Sequence, residues 1–174
     1  MRVRVVVANG AFFLIAAAQA ADKPLLLQPL MKTVVAPQAQ ALWDVGNRAL
    51  DEDGKPDVST LKPADWAKLA KAAQAMKSAA QALADAPKVQ VAPSGAKLEN
   101  EDAPGQKNAG QVQGFIDADP REFAGHARAL VDVSDAFFKA AQTKNAQTLA
   151  DASGRLDEVC EACHTRYWYP DQPK

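Results

Sequence analysis

Neither sign of charge is in excess in this chain, and long apolar runs are nearly absent from it. The 174 residues carry 20 basic and 21 acidic side chains, which gives a formal net charge of −1. This balance does not point to nucleic acid or an anionic membrane as a partner. Beyond the first 20 residues, no segment is apolar enough to span a bilayer, so the mature chain is expected to contain no membrane span.

Patterns typical of sheets, repeats and catalytic sites are missing as well. The sequence has no alternating strand pattern, no solenoid-type repeat and no glycine loop of the kind that holds phosphate. It also has no acid–base or nucleophile constellation, so an enzyme is not predicted. Aromatic residues make up only 6% of the chain. Alanine, the best helix former, is very common, and this composition indicates an all-α protein.

The two cysteines of the chain lie close together, in the run Cys160-Glu161-Ala162-Cys163-His164. On a helix they are about one turn apart, since an α-helix has roughly 3.6 residues per turn. Both thiols can then form thioethers with the vinyl groups of one porphyrin, and His164 can bind its iron axially. The motif predicts one haem c, held covalently by Cys160 and Cys163, with His164 as the metal ligand.

Three other chemistries use similar residues. A structural zinc site usually needs four ligands, so His126 would have to join the three motif residues, and the adjacent Cys163 and His164 are awkward tetrahedral partners. A thioredoxin-like pair is expected near a βαβ pattern, which this sequence lacks. A structural disulfide between Cys160 and Cys163 would close a very small loop and constrain the chain little. Haem attachment is favoured over all three.

The first 20 residues match a secretory signal peptide. Arg2 and Arg4 give a positive start, Val5 to Ala18 is mostly apolar, and Ala18-Gln19-Ala20 matches a small-residue cleavage site. The alternative is a membrane anchor, but the apolar stretch is shorter than the roughly 20 residues that a spanning helix needs. We expect cleavage after Ala20, with residues 21–174 forming a single soluble domain in the periplasm. Export fits a c-type haem, which bacteria attach outside the cytoplasm.

Apolar residues at helical spacing predict four helices. They cover about residues 24–50, 63–86, 120–141 and 145–167. Pro37 should kink or interrupt the first helix, and Gly154 in the fourth suggests close approach by a neighbour. Asp119 is placed to cap the third helix, with Glu122 able to reach back to it. Residues 87–119 contain several prolines and glycines and are predicted to form a long loop, either functional or mobile.

Four amphipathic helices in one small domain predict an antiparallel four-helix bundle, with the haem near the C-terminal end of the last helix. In an up-down-up-down order, that end lies beside the start of the first helix, the end of the second and the start of the third. The haem pocket should therefore draw on all four helices. From the first three, its predicted lining residues are Leu27, Leu30, Met31, Leu83, Phe123 and His126.

This layout resembles the cytochrome c′ and cytochrome c-556 family of monohaem four-helix-bundle cytochromes. The resemblance rests on the C-terminal haem motif, on Leu30-Met31-Lys32-Thr33, which is similar to the family's Leu-Met-Lys segment, and on Pro120 to Phe123. It covers most of residues 24–168 in layout, although only the haem motif is specific. Leu27 stands where family members often carry a basic residue near a haem propionate. The long loop is a further departure, and the chain resembles a divergent member.

The sixth iron ligand decides the function that this resemblance implies. If Met31 binds the iron, as a Met does in c-556-type relatives, the site is six-coordinate and suited to electron transfer. If Met31 only packs over the iron, the site is five-coordinate, as in cytochromes c′, and can bind NO or CO. His126 would instead give a bis-His site. Met76 lies farther along the second helix and is expected in the core.

Residues that follow the motif complete the predicted cofactor site. Arg166 either reaches a haem propionate or is a solvated cation at the helix end, where the helix dipole favours it. Tyr167, Trp168 and Tyr169 either cover a haem edge or dock a partner, and covering is favoured because exposed aromatic clusters are uncommon on monomers.

The sequence thus predicts an exported monohaem cytochrome that transfers single electrons to or from an unidentified redox protein. The first alternative is a haem that binds or senses NO or CO. The second is an accessory haem subunit of a redox complex, with the long loop as its contact surface. Since members of the family are often dimers, the resemblance leaves a homodimer open.

Overall fold

The computed structural model describes residues 23–169, and the predicted signal peptide lies outside this range. The described chain is mostly helical, which confirms the all-α class. Its elements are β1 (Leu25–Leu26), α1 (Leu27–Leu30), a π-helical turn (Met31–Val35), α2 (Ala36–Asn47), α3 (Pro63–Asp85), β2 (Val89–Gln90), α4 (Ala109–Ala118), α5 (Pro120–Thr143) and α6 (Ala146–Tyr167). Among residues 23–169, no helix is both long enough and apolar enough to cross a membrane.

The first helical run continues from α1 to α2 through the π-helical turn. Pro37 has no N–H and cannot donate to the carbonyl of Thr33, four residues earlier. Just before it, the N–H of Ala36 donates to the carbonyl of Met31, five residues earlier, which is the π-helical spacing. The α-helical pattern is therefore interrupted for one turn, as was predicted from the presence of Pro37. The run then continues and ends at Asn47, not at Leu50.

Local caps set the starts of the last two helices. The Oδ1 atom of Asp119 accepts from the N–H of Glu122 at 2.9 Å, which confirms the predicted cap of α5. The side chain of Glu122 does not reach back, however, because it pairs with Arg166. At the start of α6, the Oδ1 atom of Asn145 accepts from the N–H of Thr148 at 2.8 Å.

The long connection between α3 and α5 is not the loop that the sequence predicted. It contains β2, which pairs in parallel with β1, and the ten-residue helix α4. Asn108 and Gln111 form a capping box at the start of α4, in which each side chain accepts from the other residue's backbone N–H. Gly110 and Gly114 lie within this helix. Those two glycines misled the prediction, and the strands are too short to show an alternating pattern.

The main core lies between α2, α3, α5 and α6. Helix α3 packs chiefly against α5, α5 against α6, and α2 against α3. The largest fully buried side chains of this core are Leu42, Leu69, Met76, Phe137, Leu149 and Leu156. The prediction that Met76 lies in the core is therefore confirmed.

A second, smaller apolar cluster lies at the end of the molecule where α6 finishes. It combines side chains from the end of α3, from the connection between α3 and α5, from the start of α5 and from the end of α6. Its buried members include Leu83, Val91, Val112, Ile116, Phe123 and Tyr167. The half-buried Leu30 packs against both clusters.

Close contact between α2 and α6 depends on Gly46, and the prediction of a close approach at Gly154 is wrong. A Cβ atom added at Gly154 would meet nothing within 4 Å. A Cβ atom at Gly46 would collide with the Oγ atom of Ser153. That hydroxyl donates to the carbonyl of Leu149 at 3.0 Å, so it is already held in place.

The Gly46→Ala variant is expected to lower the free energy of unfolding by about 1–3 kcal/mol, because the new methyl group overpacks the contact. Adding Ser153→Ala should restore the stability, since the methyl group then meets only a Cβ atom at 3.4 Å. Gly154→Ala is the control and should gain up to about 1 kcal/mol from helix propensity. Urea unfolding of the wild type and the three variants measures these differences in the free energy of unfolding. Equal stability of Gly46→Ala and Gly154→Ala would contradict the assignment of the close helix contact to Gly46.

Candidate functional site

An apolar cavity of about 270 Å³ lies beside the C-terminal end of α6. Its volume is close to the lower end of the roughly 300–1,000 Å³ that is usual for small-molecule sites. Its walls come from α1 and the π-helical turn, the end of α3, the connection between α3 and α5, the start of α5, and α6. Helix ends that are distant in sequence therefore meet around one space.

Most of the residues predicted for the site meet in this cavity. Those that line it are Leu27, Met31, Leu83, Phe123, His126, Cys160, Cys163, His164 and Tyr167. Two predicted residues are not among the lining side chains. Leu30 packs within the apolar clusters, and Arg166 pairs with Glu122 beside the cavity.

The three residues of the motif lie on the α6 wall. Cys160 and Cys163 are free and half-buried. Burial raises the pKa of the Cys160 thiol to about 11 and that of Cys163 to about 12, with smaller contributions from Asp157 and from Cys160 respectively. Both are therefore neutral thiols at pH 7. Thiol–disulfide exchange requires a thiolate, which a lowered pKa favours, so these surroundings do not suit a reactive redox pair.

The zinc alternative is not formed by the residues that the structure describes. Between residues 23 and 169, no group of three or more His, Cys, Asp or Glu side chains is arranged to hold a metal ion. Although His126 lines the same cavity as the motif, it does not complete a four-ligand set with Cys160, Cys163 and His164.

The imidazole of His164 is packed between the cavity and two aromatic rings. The Trp168 ring lies edge-on to it, with the centroids 5.3 Å apart, and the Tyr169 ring is 6.0 Å away. The hydroxyl of Tyr169 donates to Oε2 of Glu161 at 2.6 Å, which ties this ring to α6. Burial lowers the pKa of His164, opposed by the nearby Glu161 carboxylate. The lowered pKa favours the neutral imidazole, the form that binds metals.

Two polar atoms beside the cavity are buried without a partner. Within residues 23–169, the Nε1 atom of Trp168 and the Oη atom of Tyr167 form no hydrogen bond. Both residues line the cavity. Because an unsatisfied buried donor is costly, these atoms favour a ligand that presents oxygen acceptors at this end.

Met31 and His126, the two candidates for the sixth iron ligand, are both on the cavity wall. Met31 is the first residue of the π-helical turn, and such turns are frequent at functional sites. The ring of His126 lies edge-on to that of Tyr167, with the centroids 5.7 Å apart. Both side chains are half-buried, and Met31 also packs against the main core.

No protein-family model, curated protein or solved structure matches this chain. The resemblance to cytochromes c′ and c-556 therefore depends on the chain's own residues. Of these, the Cys-Glu-Ala-Cys-His run, the Leu-Met-Lys segment and the start of α5 all contribute side chains to one cavity.

Arg166 links three helices beside the cavity. Its guanidinium donates to Oε2 of Glu122 at 2.7 and 2.9 Å, and this hydrogen bond is the main cause that lowers the pKa of the Glu122 carboxyl. The guanidinium also lies 5.8 Å from the ring centroid of Phe115 on α4 and 5.1 Å from that of Tyr167. Its charge is thus already paired, and it positions the end of α6 against α4 and α5.

Several lining residues were not predicted from the sequence. They are Gln28, Lys32, Val35, Ala36, Val91, Leu98, Glu99, Val112, Ala127, Leu130 and Val159. Gln28 and Val35 stand three residues before and four after Met31, so helical spacing identifies them once Met31 is placed. Val91 and Val112 are apolar residues in a mostly polar connection, and this was the available signal that the connection reaches the cavity.

Proposed function

We propose that this chain is a periplasmic monohaem cytochrome, related to cytochromes c′ and c-556, that transfers single electrons. One observation carries the proposal. Cys160, Cys163 and His164 lie on one wall of an apolar cavity, with both cysteines free and His164 favoured in its neutral form.

The residues around the cavity fit a haem. Cys160 and Cys163 would hold it through thioethers, and the neutral His164 would bind its iron. The apolar walls suit the porphyrin ring, and the unpartnered Nε1 of Trp168 and Oη of Tyr167 suit its carboxylates. When bound, the haem supplies reversible one-electron chemistry at iron.

The packing of the helices supports an antiparallel four-helix bundle built from α2, α3, α5 and α6. Helices that follow one another along the chain pack against each other, and α2 also contacts α6, which brings the first and last members together. The predicted site at the end of α6 then lies at one end of the bundle, as in the bundle cytochromes.

The protein's own residues would set the properties of the iron by ligation and by excluding water. Phe123 and Leu83 are buried and line the cavity, so they keep the local dielectric constant low. Trp168 and Tyr169 pack against His164 and hold the orientation of its ring. If Met31 and His164 both held the iron, the methionine sulfur would raise the reduction potential, as in ordinary cytochromes c.

Binding of NO or CO is the second candidate function. It is supported by the apolar side chains of Leu27 and Leu130, which line the cavity and offer no ligand to the iron. The accessory-subunit alternative used the connection between α3 and α5 as a contact surface. Val91 and Val112 in that connection are buried in this chain's own cluster, whereas residues 93–95 and 102–104 are exposed and still offer a surface to a partner.

The Met31→Leu variant separates electron transfer from gas binding. We expect the wild-type ferric protein to be low-spin with a sulfur-to-iron band, and the ferrous protein not to react with CO. Met31→Leu keeps the apolar volume but removes the sulfur ligand, so it should become high-spin and bind CO. Visible spectra of both oxidation states, with and without CO, measure this.

Met76→Leu is the matched control, because Met76 is buried in the main core away from the cavity. Its spectra should equal those of the wild type. A high-spin wild-type protein that binds CO at once would exclude Met31 ligation and favour the second function. If Met31→Leu stays low-spin, His126→Ala tests the bis-His alternative.

A further inference from the structure

The mouth of the apolar cavity lies between the first helical run and the connection from α3 to α5. Most of the described lining residues are buried or half-buried, and the exposed ones are Lys32, Ala36 and Glu99. Lys32 and Ala36 belong to the first helical run, whereas Glu99 belongs to the connection. The cavity therefore opens to solvent between these two segments, with one side chain of each charge at the opening.

Helical spacing explains why Lys32 lies at the mouth of the cavity. Residues four apart on a helix share a face, and the first helical run lines the cavity with two such rows. The rows are Leu27, Met31 and Val35, and Gln28, Lys32 and Ala36. Val35 is only 2% exposed, whereas Lys32 and Ala36 are exposed, so the second row lies nearer to solvent. A lysine in such a place lays its apolar stem along the wall and keeps its ammonium group in water.

Gln28 connects this second row to the other side of the mouth. Its Nε2 atom donates to the carbonyl of Lys97 at 2.6 Å, and Glu99 follows two residues later. The ammonium group of Lys97 pairs with Asp102 at 3.0 Å and with Glu101 at 3.8 Å. The cation of this part of the connection is therefore already paired with carboxylates of the connection itself.

Lys32 is the cation that remains available to a ligand in the cavity. It is the one lysine or arginine among the described lining residues, and its ammonium group forms no ion pair in the described part of the chain. Arg166, beside the cavity, is already paired with Glu122. Tyr167 and Trp168 present unpartnered donors but carry no charge. Because burying a carboxylate without an opposite charge is costly, neutral donors alone do not balance it.

The two charges at the mouth are separate from each other. Lys32 and Glu99 line the same cavity, yet their side chains do not form an ion pair. A ligand with an apolar ring and carboxylates at one edge gains most when the ring lies against the apolar walls and the carboxylates lie where water remains. At the mouth, Lys32 attracts such a carboxylate and Glu99 repels it.

We propose that Lys32 binds a carboxylate of the haem at the mouth of the cavity, and that Glu99 keeps the carboxylates on the side of Lys32. Lys32 is thus a cofactor-binding residue that orients the ring, in addition to the residues of the motif. The inference rests on the proposed function, since it assigns a residue to the carboxylates of the same haem.

The test compares haem with its dimethyl ester, which has the same ring but no charged carboxylates. Both are titrated into the full-length protein with the two cysteines of the motif replaced by alanine, so that binding is not covalent. Visible spectra give both Kd values for Lys32→Gln and Glu99→Gln. Lys71→Gln and Glu52→Gln are the matched controls, because both residues are exposed and neither lines the cavity.

Lys32→Gln is expected to weaken haem binding about threefold to fivefold, within the range of an exposed ion pair, and to leave binding of the ester unchanged. Glu99→Gln should strengthen haem binding about twofold, also without an effect on the ester. High salt should remove both effects, and the controls should change neither Kd. Equal weakening for haem and ester, or no weakening for haem, would overturn the assignment of Lys32. Haem binding that Glu99→Gln does not strengthen would overturn the role of Glu99.

A second measurement covers the case in which the protein without the two cysteines does not fold. In the wild-type protein with covalent haem, resonance Raman spectra report the bending band of the haem carboxylates. Lys32→Gln should shift this band and Lys71→Gln should not. Covalent haem with an unshifted band would overturn only the inference about Lys32. A wild-type chain without covalent haem would overturn the proposed function, and the titrations would still show whether Lys32 binds a carboxylate.

Discussion

Replacing both cysteines of the motif, Cys160→Ala with Cys163→Ala, is expected to abolish covalent attachment of haem. Each thiol would supply one of the two thioethers, so either single variant should keep at most one covalent bond. Mass spectrometry of the denatured protein, expressed with the haem attachment machinery, measures the covalent adduct. Wild-type protein should carry the mass of one haem, and the double variant should carry none.

Ala162→Ser is the matched control, because Ala162 lies between the two cysteines and is exposed. It changes the motif by one oxygen atom without touching a ligand, so full attachment is expected. A wild-type chain that shows no covalent haem under these conditions would exclude the proposed function. Haem that survives in the double variant would show that the attachment is not through these thiols.

Phe137→Ala is expected to cause the largest loss of stability, about 3–5 kcal/mol in the free energy of unfolding. Phe137 is fully buried in the main core on α5, and its removal leaves a cavity that rigid neighbouring helices cannot fill. It does not line the apolar cavity, so, if the proposed haem is bound there, the visible spectrum of the folded protein should not change. Urea unfolding of variants with equal haem content measures the loss.

Phe138→Ala provides the comparison, since Phe138 is the next residue and is only half-buried. A phenylalanine is again truncated on α5, but this one buries less apolar surface. A clearly smaller loss in the free energy of unfolding is therefore expected. Equal losses in the two variants would mean that the orientation of α5 differs from the one described.

Helices were predictable wherever the decisive interactions are local. The 3.6-residue spacing of apolar side chains predicted α3, α5 and α6 with ends close to those observed, because Pro63, Asp119 and Asn145 mark their starts in the sequence. The strand pair was not predictable in this way. β1 and β2 are two residues each and are more than 60 positions apart, so only the packed chain brings them together.

In the candidate site, too, local sequence indicated some features and tertiary packing decided the others. The motif at Cys160, Cys163 and His164 follows from the spacing of residues on one helix. Met31 and Phe123 were placed near it by assuming that successive helices alternate in direction, and the cavity does bring them together. For Arg166 the sequence left open a haem propionate or solvent, and nothing in its local sequence indicates the ion pair with Glu122 on another helix.

The amino-acid sequence by itself determined the all-α class, most of the helix boundaries and the three residues that point to haem. These follow from interactions within one helix turn or between neighbouring residues. Tertiary structure alone decided which helix ends meet around the cavity, that Gly46 and not Gly154 sets the close contact, and that residues 88–118 form a wall. Those outcomes depend on burial and hydrogen bonding between distant segments, which have no local signature.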